Sequence, residues 1–320
     1  MQKTKRLYLN VYNSCNLNCI HCFNHGGKAG GDLLSTVEIA SLVEQARKNT
    51  GIVEVRLGGG EPTERPDLFR LLGSLLEQDV RIVLQSNAAF NEDIRSQLMN
   101  MYSDKLSLIV SLDGLETNDA LRGPGVTDKV ISNLEILSRK FSIRINTLLT
   151  SGIKQNEIFR IVQLAKKLGL SLAFNPLCPT GRADRSFLMA PDAYFEWMKR
   201  IEEFRGQGLQ IRKGFNMKNG RLAETENCPV RKGSAIFIDS NGAVFPCGFL
   251  AGQPSFRLGS IREVSLVELL QRTPPECRVV PEKCRACELY LKGHCFAGCP
   301  ARIFWLYGNF DAPDIYCLNG

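Results

Sequence analysis

Residues 7–22 read LYLNVYNSCNLNCIHC and join a short alternating apolar segment to three closely spaced cysteines. The alternation over Leu7–Tyr12 predicts a β-strand, because successive side chains of a strand point to opposite faces. Cys15, Cys19 and Cys22 follow in the loop that leaves this strand. Three thiolates this close suit a cluster of soft iron ions, and in a four-iron cluster they would leave one iron open to another ligand.

Zinc is the alternative occupant of this loop. Structural zinc takes four ligands, and His21 and His25 lie near enough in sequence to complete a set with the cysteines. The loop alone therefore leaves iron and zinc open.

Short apolar strands alternate with amphipathic helical segments through the first two thirds of the chain. The predicted strands are Leu7–Tyr12, Val53–Leu57, Arg81–Gln85, Leu106–Leu112, Ile143–Leu149 and Ser171–Asn175. The predicted helices, with apolar residues at three- and four-residue spacing, are Thr36–Lys48, Asp67–Gln78, Glu92–Met101, Lys129–Lys140 and Asn156–Leu168. Six such repeats indicate an α/β fold in which a parallel sheet is rolled into a full or partial barrel, with its binding site at the carboxyl ends of the strands.

The pattern changes after Pro191. A helix over Asp192–Phe204 leads into a Gly-rich stretch, and Ala235–Ile238 and Ala243–Pro246 flank an Asn-Gly pair that predicts a hairpin. We predict a barrel over residues 1–190, a bridging helix and linker over 191–225, and a small cysteine-rich domain over 226–320.

The composition of the 320-residue chain is that of an ordinary globular protein, with 44% hydrophobic and 23% charged residues. No apolar run reaches the ~20 residues of a membrane span, and the basic N-terminus lacks the apolar core of a signal peptide. We therefore expect a cytoplasmic protein with no membrane partner. The formal charge of +7 is scattered, which is typical of a solvated surface or of an anionic partner and gives no argument for nucleic acid. Twelve cysteines in such a chain indicate metal or catalysis rather than disulfides.

Polar residues and glycines mark the ends of the predicted strands. Gly58–Pro62 reads GGGEP and ends the second strand, where glycines let the backbone approach a ligand closely or simply make a turn. Ser86 ends the third strand, Ser111 ends the fourth, and Asn146 lies in the fifth. Their shared position at one rim makes them candidates for ligand binding.

The C-x3-C-x2-C loop after the first strand, with Gly-Gly-Glu-Pro after the second, resembles the radical S-adenosylmethionine (SAM) superfamily. The resemblance implies a partial (β/α)6 barrel of TIM type whose three loop cysteines hold a four-iron cluster, with SAM chelated to the open iron by its amino and carboxylate groups. One electron would cleave the sulfonium, and the resulting 5′-deoxyadenosyl radical would abstract a hydrogen atom from the substrate.

The resemblance also implies the residues that bind SAM. Gly59, Gly60 and Glu61 match the motif that contacts its methionyl amino group, and Ser86, Ser111 and Asn146 are candidates for its ribose and carboxylate. One position departs from the family, because His21 stands where an aromatic residue usually precedes the third cysteine.

The cysteines after residue 227 resemble the SPASM extension of some radical SAM enzymes, except that seven residues rather than five separate Cys287 from Cys295. This resemblance implies two auxiliary four-iron clusters, and hence three such (4Fe–4S) clusters in the chain. The implied ligands of the first auxiliary cluster are Cys228, Cys247 and Cys299, and those of the second are Cys284, Cys287, Cys295 and Cys317. A pair of zinc ribbons is the alternative.

Two cysteines lie outside these sets. The first auxiliary cluster lacks a fourth ligand, so either Cys277 supplies it or the iron is open to solvent or substrate. Cys178, just past the sixth strand, is either a small buried hydrophobe or a thiol that donates a hydrogen atom to a substrate radical. Arg182 nearby could bind a carboxylate or phosphate.

The resemblance implies an oxidoreductase or maturase that modifies a ribosomally made peptide by cross-linking, epimerisation or oxidation. The alternatives are an enzyme of sugar, nucleoside or cofactor biosynthesis and a zinc-binding interaction module. Gly248 replaces the aspartate base of sulfatase-maturing members, which disfavours formylglycine formation. The expected reductant is a flavodoxin or ferredoxin-type protein. Because the chain starts close to its first strand, we expect the leader-peptide-binding module of many peptide maturases to be absent or a separate protein.

Overall fold

The computed structural model describes residues 6–24, 32–213, 217–218, 221–222, 228, 230, 235–272, 275–293 and 295–317. The strands are β1 (Arg6–Tyr12), β2 (Glu54–Gly59), β3 (Arg81–Ser86), β4 (Leu106–Ser111), β5 (Ile143–Leu149), β6 (Ser171–Pro176), β7 (Ile211–Lys213), β8 (Met217–Lys218), β9 (Arg221–Leu222), β10 (Ala235–Ile238), β11 (Ala243–Phe245) and β12 (Gly259–Ser260). The helices are α1 (Thr36–Thr50), α2 (Leu68–Leu76), α3 (Glu92–Asn100), α4 (Thr117–Arg122), α5 (Val126–Leu137), α6 (Gln155–Leu168), α7 (Pro191–Gly206), α8 (Leu266–Leu269), α9 (Glu282–Arg285), α10 (Glu288–Leu291) and α11 (Pro300–Tyr307).

Ten of these strands form one sheet in the order β12-β11-β10-β1-β2-β3-β4-β5-β6-β7. Strands β1 to β7 pair in parallel with their sequence neighbours, and β10 pairs in parallel with β1 on its other side. Within the described part of this sheet, β11 and β12 are the strands that pair antiparallel, and β8 and β9 form a separate antiparallel pair. This mostly parallel α/β sheet confirms the predicted fold class, and it brings the carboxyl ends of β1 to β6 to one rim.

Buried apolar side chains alternate with partly buried, often polar ones along β2 and β5, and the helices pack on the apolar face of the sheet. Leu7, Val55 and Leu84 are all fully buried in the core of the sheet. Helix α1 begins with a capping box in which the Ser35 hydroxyl accepts from the Glu38 amide and the Glu38 carboxylate accepts from the Ser35 amide. This local signal fixes where α1 begins.

The six predicted strands and the hairpin are confirmed, with bounds that differ by one or two residues. Helix α4 was not predicted, because it is short and Gly123 ends it. Strand β7 lies within the segment predicted as a linker and pairs with β6, while β10 extends the same sheet beside β1. The divisions at 190 and 225 remain predictions, and part of the segment between them lies outside the described residues.

No helix in the described part of the chain is both long and apolar enough to cross a membrane.

The buried guanidinium of Arg65 ties the end of β1 to the start of α1. Its Nη1 donates to the carbonyl of Val11 at 2.8 Å, and its Nη2 donates to the carbonyl of Leu34 at 3.0 Å. Its Nε donates to Asp67 at 2.7 Å, and Asp67 also accepts from the Thr36 hydroxyl at 2.6 Å. Although burial opposes it, these hydrogen bonds hold the pKa of the Asp67 carboxyl well below its usual range.

We expect Arg65→Met to lower the free energy of unfolding by about 3 kcal/mol, because two buried carbonyls lose their donor. Arg70→Met is the matched control, since Arg70 donates to the same Asp67 from a side chain that is 72% exposed. The control should change stability by less than about 0.5 kcal/mol. Anaerobic urea titrations measure both, and equal effects of the two substitutions would contradict the anchoring role.

Candidate active site

The first cysteine loop leaves β1 at the rim where the parallel strands end. Cys19 is buried, and Cys15 and Cys22 are partly buried. The amide of Cys22 donates to the carbonyl of Cys19 at 3.3 Å, which closes the loop into a turn. Burial raises the pKa of the Cys15 thiol to about 11, and the nearby Cys19 and Cys22 thiols add to the effect. Cysteine thiols become thiolates when a metal replaces their protons.

The glycines at the end of β2 form the surface on which this loop lies. Gly60 donates its amide to the carbonyl of Tyr12 at 2.7 Å, and Glu61 donates to the carbonyl of Ser14 at 2.9 Å. A Cβ atom on Gly60 would lie 2.3 Å from the Ser14 oxygen, and one on Gly59 would lie 2.4 Å from the Tyr12 oxygen. The loop can therefore dock only where β2 has no side chains.

The carboxylate of Glu61 is fully buried and joins the ends of β2 and β3. One oxygen accepts from the hydroxyls of Ser86 and Thr63, both at 2.8 Å, and the other accepts from the Asn87 amide at 2.8 Å. Burial raises the pKa of Glu61, while these donors favour the carboxylate. The predicted SAM contacts Glu61 and Ser86 thus bind each other through their side chains.

Ser111 and Asn146 lie opposite each other where β4 and β5 pair. Oδ1 of Asn146 is buried and makes no hydrogen bond. Because a buried amide oxygen without a donor is costly, this atom is suited to accept from a bound ligand. Asn87 also reaches the loop, since its Nδ2 donates to Asn16 at 2.8 Å and lies 3.7 Å from the sulfur of Cys15.

His21 belongs to a buried network around Asp113. Nε2 of His21 lies 3.1 Å from Oδ2 of Asp113, and the same oxygen accepts from Nε of Arg122 at 3.0 Å. Nδ1 of His21 is buried and makes no hydrogen bond. His21, which stands where the family usually has an aromatic residue, therefore has the carboxylate of Asp113 as its partner. His25 lies outside the described residues.

The cysteines predicted for the first auxiliary site share one buried apolar group with Cys178 and Cys277. Burial raises the pKa of Cys247, and the thiols of Cys299 and Cys228 add to it, with a smaller contribution from Cys277. Burial likewise raises the pKa of Cys178 well above its usual range, with Cys299 and Cys247 adding to it. The structure thus gathers five thiols here, although Cys178 belongs to the end of β6.

The second C-terminal group forms around two short turns. The amide of Cys287 donates to the carbonyl of Cys284 at 3.1 Å, and the sulfur of Cys295 accepts from the Ala297 amide at 3.3 Å. Burial raises the pKa of Cys295, and the thiols of Cys317 and Cys287 contribute in the same direction. The cysteines predicted to act together are therefore neighbours.

The two halves of the chain meet beside the first cysteine loop. The ring of Phe23 packs edge-on against the ring of Phe249, with centroids 5.2 Å apart. From the segment after β6, Arg182 donates its Nε to the carbonyl of Cys19 at 2.8 Å and its amide to the carbonyl of Cys22 at 2.9 Å.

The donor set fits iron–sulfur clusters and SAM. Its ligands are thiols, which suit iron, and the unpaired Asn146 oxygen offers an acceptor for a polar ligand. Within the described ranges, no three His, Cys, Asp or Glu side chains are arranged to hold a single metal ion. In a cluster each cysteine binds a different iron, so its cysteines need not converge on one point.

Sequence reasoning placed Asn87 beside Ser86 at the rim without singling it out as a site residue, and it missed Arg122. No local sequence pattern marks Arg122 as a site residue, because its partners Asp113 and Cys19 become its neighbours only through the order of strands and helices.

Comparisons with known proteins agree with this geometry. The radical SAM superfamily profile matches residues 9–188, and the profile of the SPASM iron–sulfur cluster-binding domain matches residues 228–288. The AdoMet-dependent heme synthase of Methanosarcina barkeri is 31% identical over 95% of this chain and 93% of its own length. The mycofactocin maturase MftC of Mycobacterium ulcerans is 27% identical over 96% of this chain and 86% of its own. Streptococcus suis SuiB, solved with the precursor peptide SuiA, shares the fold with a TM-score of 0.80 at 19% identity over 99% of this chain and 76% of its own.

We expect Gly60→Ala to lose most of the iron bound at the first cysteine loop, because the added methyl group would meet the Ser14 carbonyl and displace the loop. Gly73→Ala is the control, since a Cβ on Gly73 in α2 meets no atom within 4 Å. Iron per chain after anaerobic reconstitution measures the effect. Full iron loading of Gly60→Ala would contradict the docking argument.

Proposed function

Because the chain belongs to the radical SAM superfamily and carries its SPASM iron–sulfur domain, we propose that it removes a hydrogen atom from a residue of a ribosomally made peptide. The observation that carries this proposal is the docking of Cys15, Cys19 and Cys22 on the glycine end of β2. The outcome of the reaction would be a cross-link, an epimerised residue or an oxidised one.

When bound, the cluster and SAM supply a 5′-deoxyadenosyl radical that takes the hydrogen atom. The chain contributes the position of its ligands. Gly59 and Gly60 let the cysteine loop pack on the end of β2, and Glu61 with Ser86 fixes the rim. Asn146 and Ser111 lie at the ends of β4 and β5. A flavodoxin or ferredoxin-type protein would supply the electron.

We propose three four-iron clusters in the chain. The first auxiliary cluster would bind Cys228, Cys247 and Cys299, with Cys277 as its fourth ligand. Cys277 is fully buried in the same apolar group, which supports this choice. The second auxiliary cluster would bind the four other C-terminal cysteines, namely Cys284, Cys287, Cys295 and Cys317.

The peptide proposal is supported by the similarity to a mycofactocin maturase along nearly the whole chain. The net charge of +7 also suits an acidic peptide. Gly248 places no side-chain base directly after Cys247, so an oxidation that depends on an aspartate there is not part of the proposal.

A second candidate substrate is a tetrapyrrole cofactor precursor. The observation that favours it is the 31% identity to a heme synthase over 95% of this chain. Anaerobic assays with reduced protein and SAM separate the two candidates. One arm uses synthetic peptides encoded beside the gene, and the other uses a panel of iron-porphyrin carboxylic acids. The true substrate changes mass in step with the 5′-deoxyadenosine released, and turnover of the porphyrin alone would overturn the peptide proposal.

We expect Cys15→Ala to abolish conversion of SAM to 5′-deoxyadenosine and methionine by the reduced protein, because one ligand of the SAM-binding cluster is lost. Wild-type protein should bind about twelve iron ions per chain, and the variant about eight. Chromatography of the nucleoside products and an iron assay give both values. Continued cleavage of SAM by the variant, or zinc in place of iron in the wild type, would refute the assignment.

Cys178 remains a predicted hydrogen donor to a substrate radical. If it has that role, Cys178→Ala should keep SAM cleavage and iron content but lose most of the product, because the substrate radical would lack its hydrogen donor. Cys277→Ala is the matched control, since it removes another buried thiol of the same group and should lower the iron content instead. Undiminished product, or loss of iron from the Cys178 variant, would rule out the donor role.

A further inference from the structure

Asp113 and Arg122 form a buried ion pair beside the first cysteine loop, and the function proposed above gives this pair no role. The side chain of Asp113 is 1% exposed, and that of Arg122 is 10% exposed. Oδ1 of Asp113 accepts from the Leu148 amide at 2.8 Å, while Oδ2 accepts from Arg122 and contacts His21. Although burial favours the neutral acid, the charge of Arg122 and the bond to His21 hold the pKa of Asp113 well below its usual range. The pair is therefore ionised.

Asp113 uses only one oxygen of its carboxylate for the guanidinium, so Arg122 has atoms that face elsewhere. Both Nε and Nη2 of Arg122 bind Oδ2 of Asp113. The third nitrogen, Nη1, lies 4.0 Å from the sulfur of Cys19. The carboxylate thus fixes the plane of the guanidinium with one edge toward a predicted cluster ligand.

The backbone keeps this arrangement in place. The amide of Ile20, next to Cys19, donates to the carbonyl of Leu121 at 3.0 Å, which ties the loop to the end of α4. The amide of Asp113 donates to the side chain of Asn118 at 3.0 Å, which ties the end of β4 to the same helix. The distance between Arg122 and the loop is therefore set by two short connections.

Charge at this place acts on the sulfur strongly because both groups are shielded from water. The positive charge of Arg122, whose Nη1 faces the Cys19 sulfur, would favour any state in which that sulfur carries more electron density. The reduced form of a cluster is such a state, and hydrogen bonds to its sulfurs are a recognised influence on cluster potential.

We propose that Arg122 is a positioning residue that donates a hydrogen bond to the Cys19 sulfur and stabilises the reduced SAM-binding cluster. Asp113 orients the guanidinium, and His21 contacts the same carboxylate oxygen from the loop itself. One electron enters from the reductant, and no bond of the protein forms or breaks. The inference rests on the proposed function, because it requires iron at the first cysteine loop.

The test is an anaerobic redox titration of the full chain followed by electron paramagnetic resonance, with and without SAM. Subtracting the spectrum of Cys15→Ala isolates the signal of the SAM-binding cluster. At the wild-type midpoint, Arg122→Gln should lower the ratio of reduced to oxidised cluster by about fivefold, since it removes a charge that Asp113 partly screens. Arg122→Lys should lower it by about twofold, because it keeps the charge but has a single ammonium instead of a planar fork.

Arg95→Gln is the matched control for loss of a mostly buried arginine. Arg95 is 18% exposed and donates to Asn133 at 3.1 Å. Its substitution should leave the ratio of reduced to oxidised cluster unchanged. A wild-type ratio in Arg122→Gln with full iron content would overturn the inference. If that variant does not hold iron, Arg122→Lys decides, because an unshifted ratio there overturns the inference and a twofold shift supports it. Absence of a SAM-sensitive signal in the wild type would instead refute the proposed function.

Discussion

The close approach between the end of β2 and the first cysteine loop is the constraint on which the site depends. Two backbone hydrogen bonds, Gly60 to Tyr12 and Glu61 to Ser14, hold the loop against a strand end that carries no side chains. A single methyl group there would overlap the loop backbone. Because the loop lies in this place, Cys15 comes within reach of Asn87, which directly follows β3. The rim of the sheet then becomes one continuous surface.

Two buried carboxylates stabilise this rim in different ways. Glu61 is surrounded by neutral donors from β3 and from its own turn, and it joins adjacent strands. Asp113 is paired with Arg122 and His21, and it joins β4 and β5 to the cysteine loop. A buried carboxylate is costly unless its oxygens are satisfied. Each therefore fixes several backbone segments at once, and the second also leaves a cationic group beside a cysteine sulfur.

The C-terminal region extends the parallel sheet and also meets the rim that carries the first cysteine loop. Strand β10 runs parallel to β1, and Asn10 in β1 donates to Asp239 in the hairpin turn at 2.6 Å. Phe23, which follows Cys22, packs against Phe249, which lies two residues after Cys247. Near the C-terminus, the carboxylate of Asp314 accepts from the Arg302 guanidinium and from the Cys299 amide, the latter at 2.7 Å. The two cysteine-bearing regions thus share one framework, which explains how Cys178 of the first comes to lie among the thiols of the second.

The sequence by itself determined the features that depend on near neighbours in the chain. The periodicity of apolar residues predicted six strands and their helices, and the spacing of Cys15, Cys19 and Cys22 predicted a metal-binding loop, because both patterns are local. Tertiary structure alone decided which distant groups meet. The partner of His21 lies 92 residues away, and the strand beside β1 begins at Ala235. Such contacts follow from the order of strands in the sheet, which no local pattern of residues encodes. They place Asp113 beside His21 and Arg122 beside Cys19.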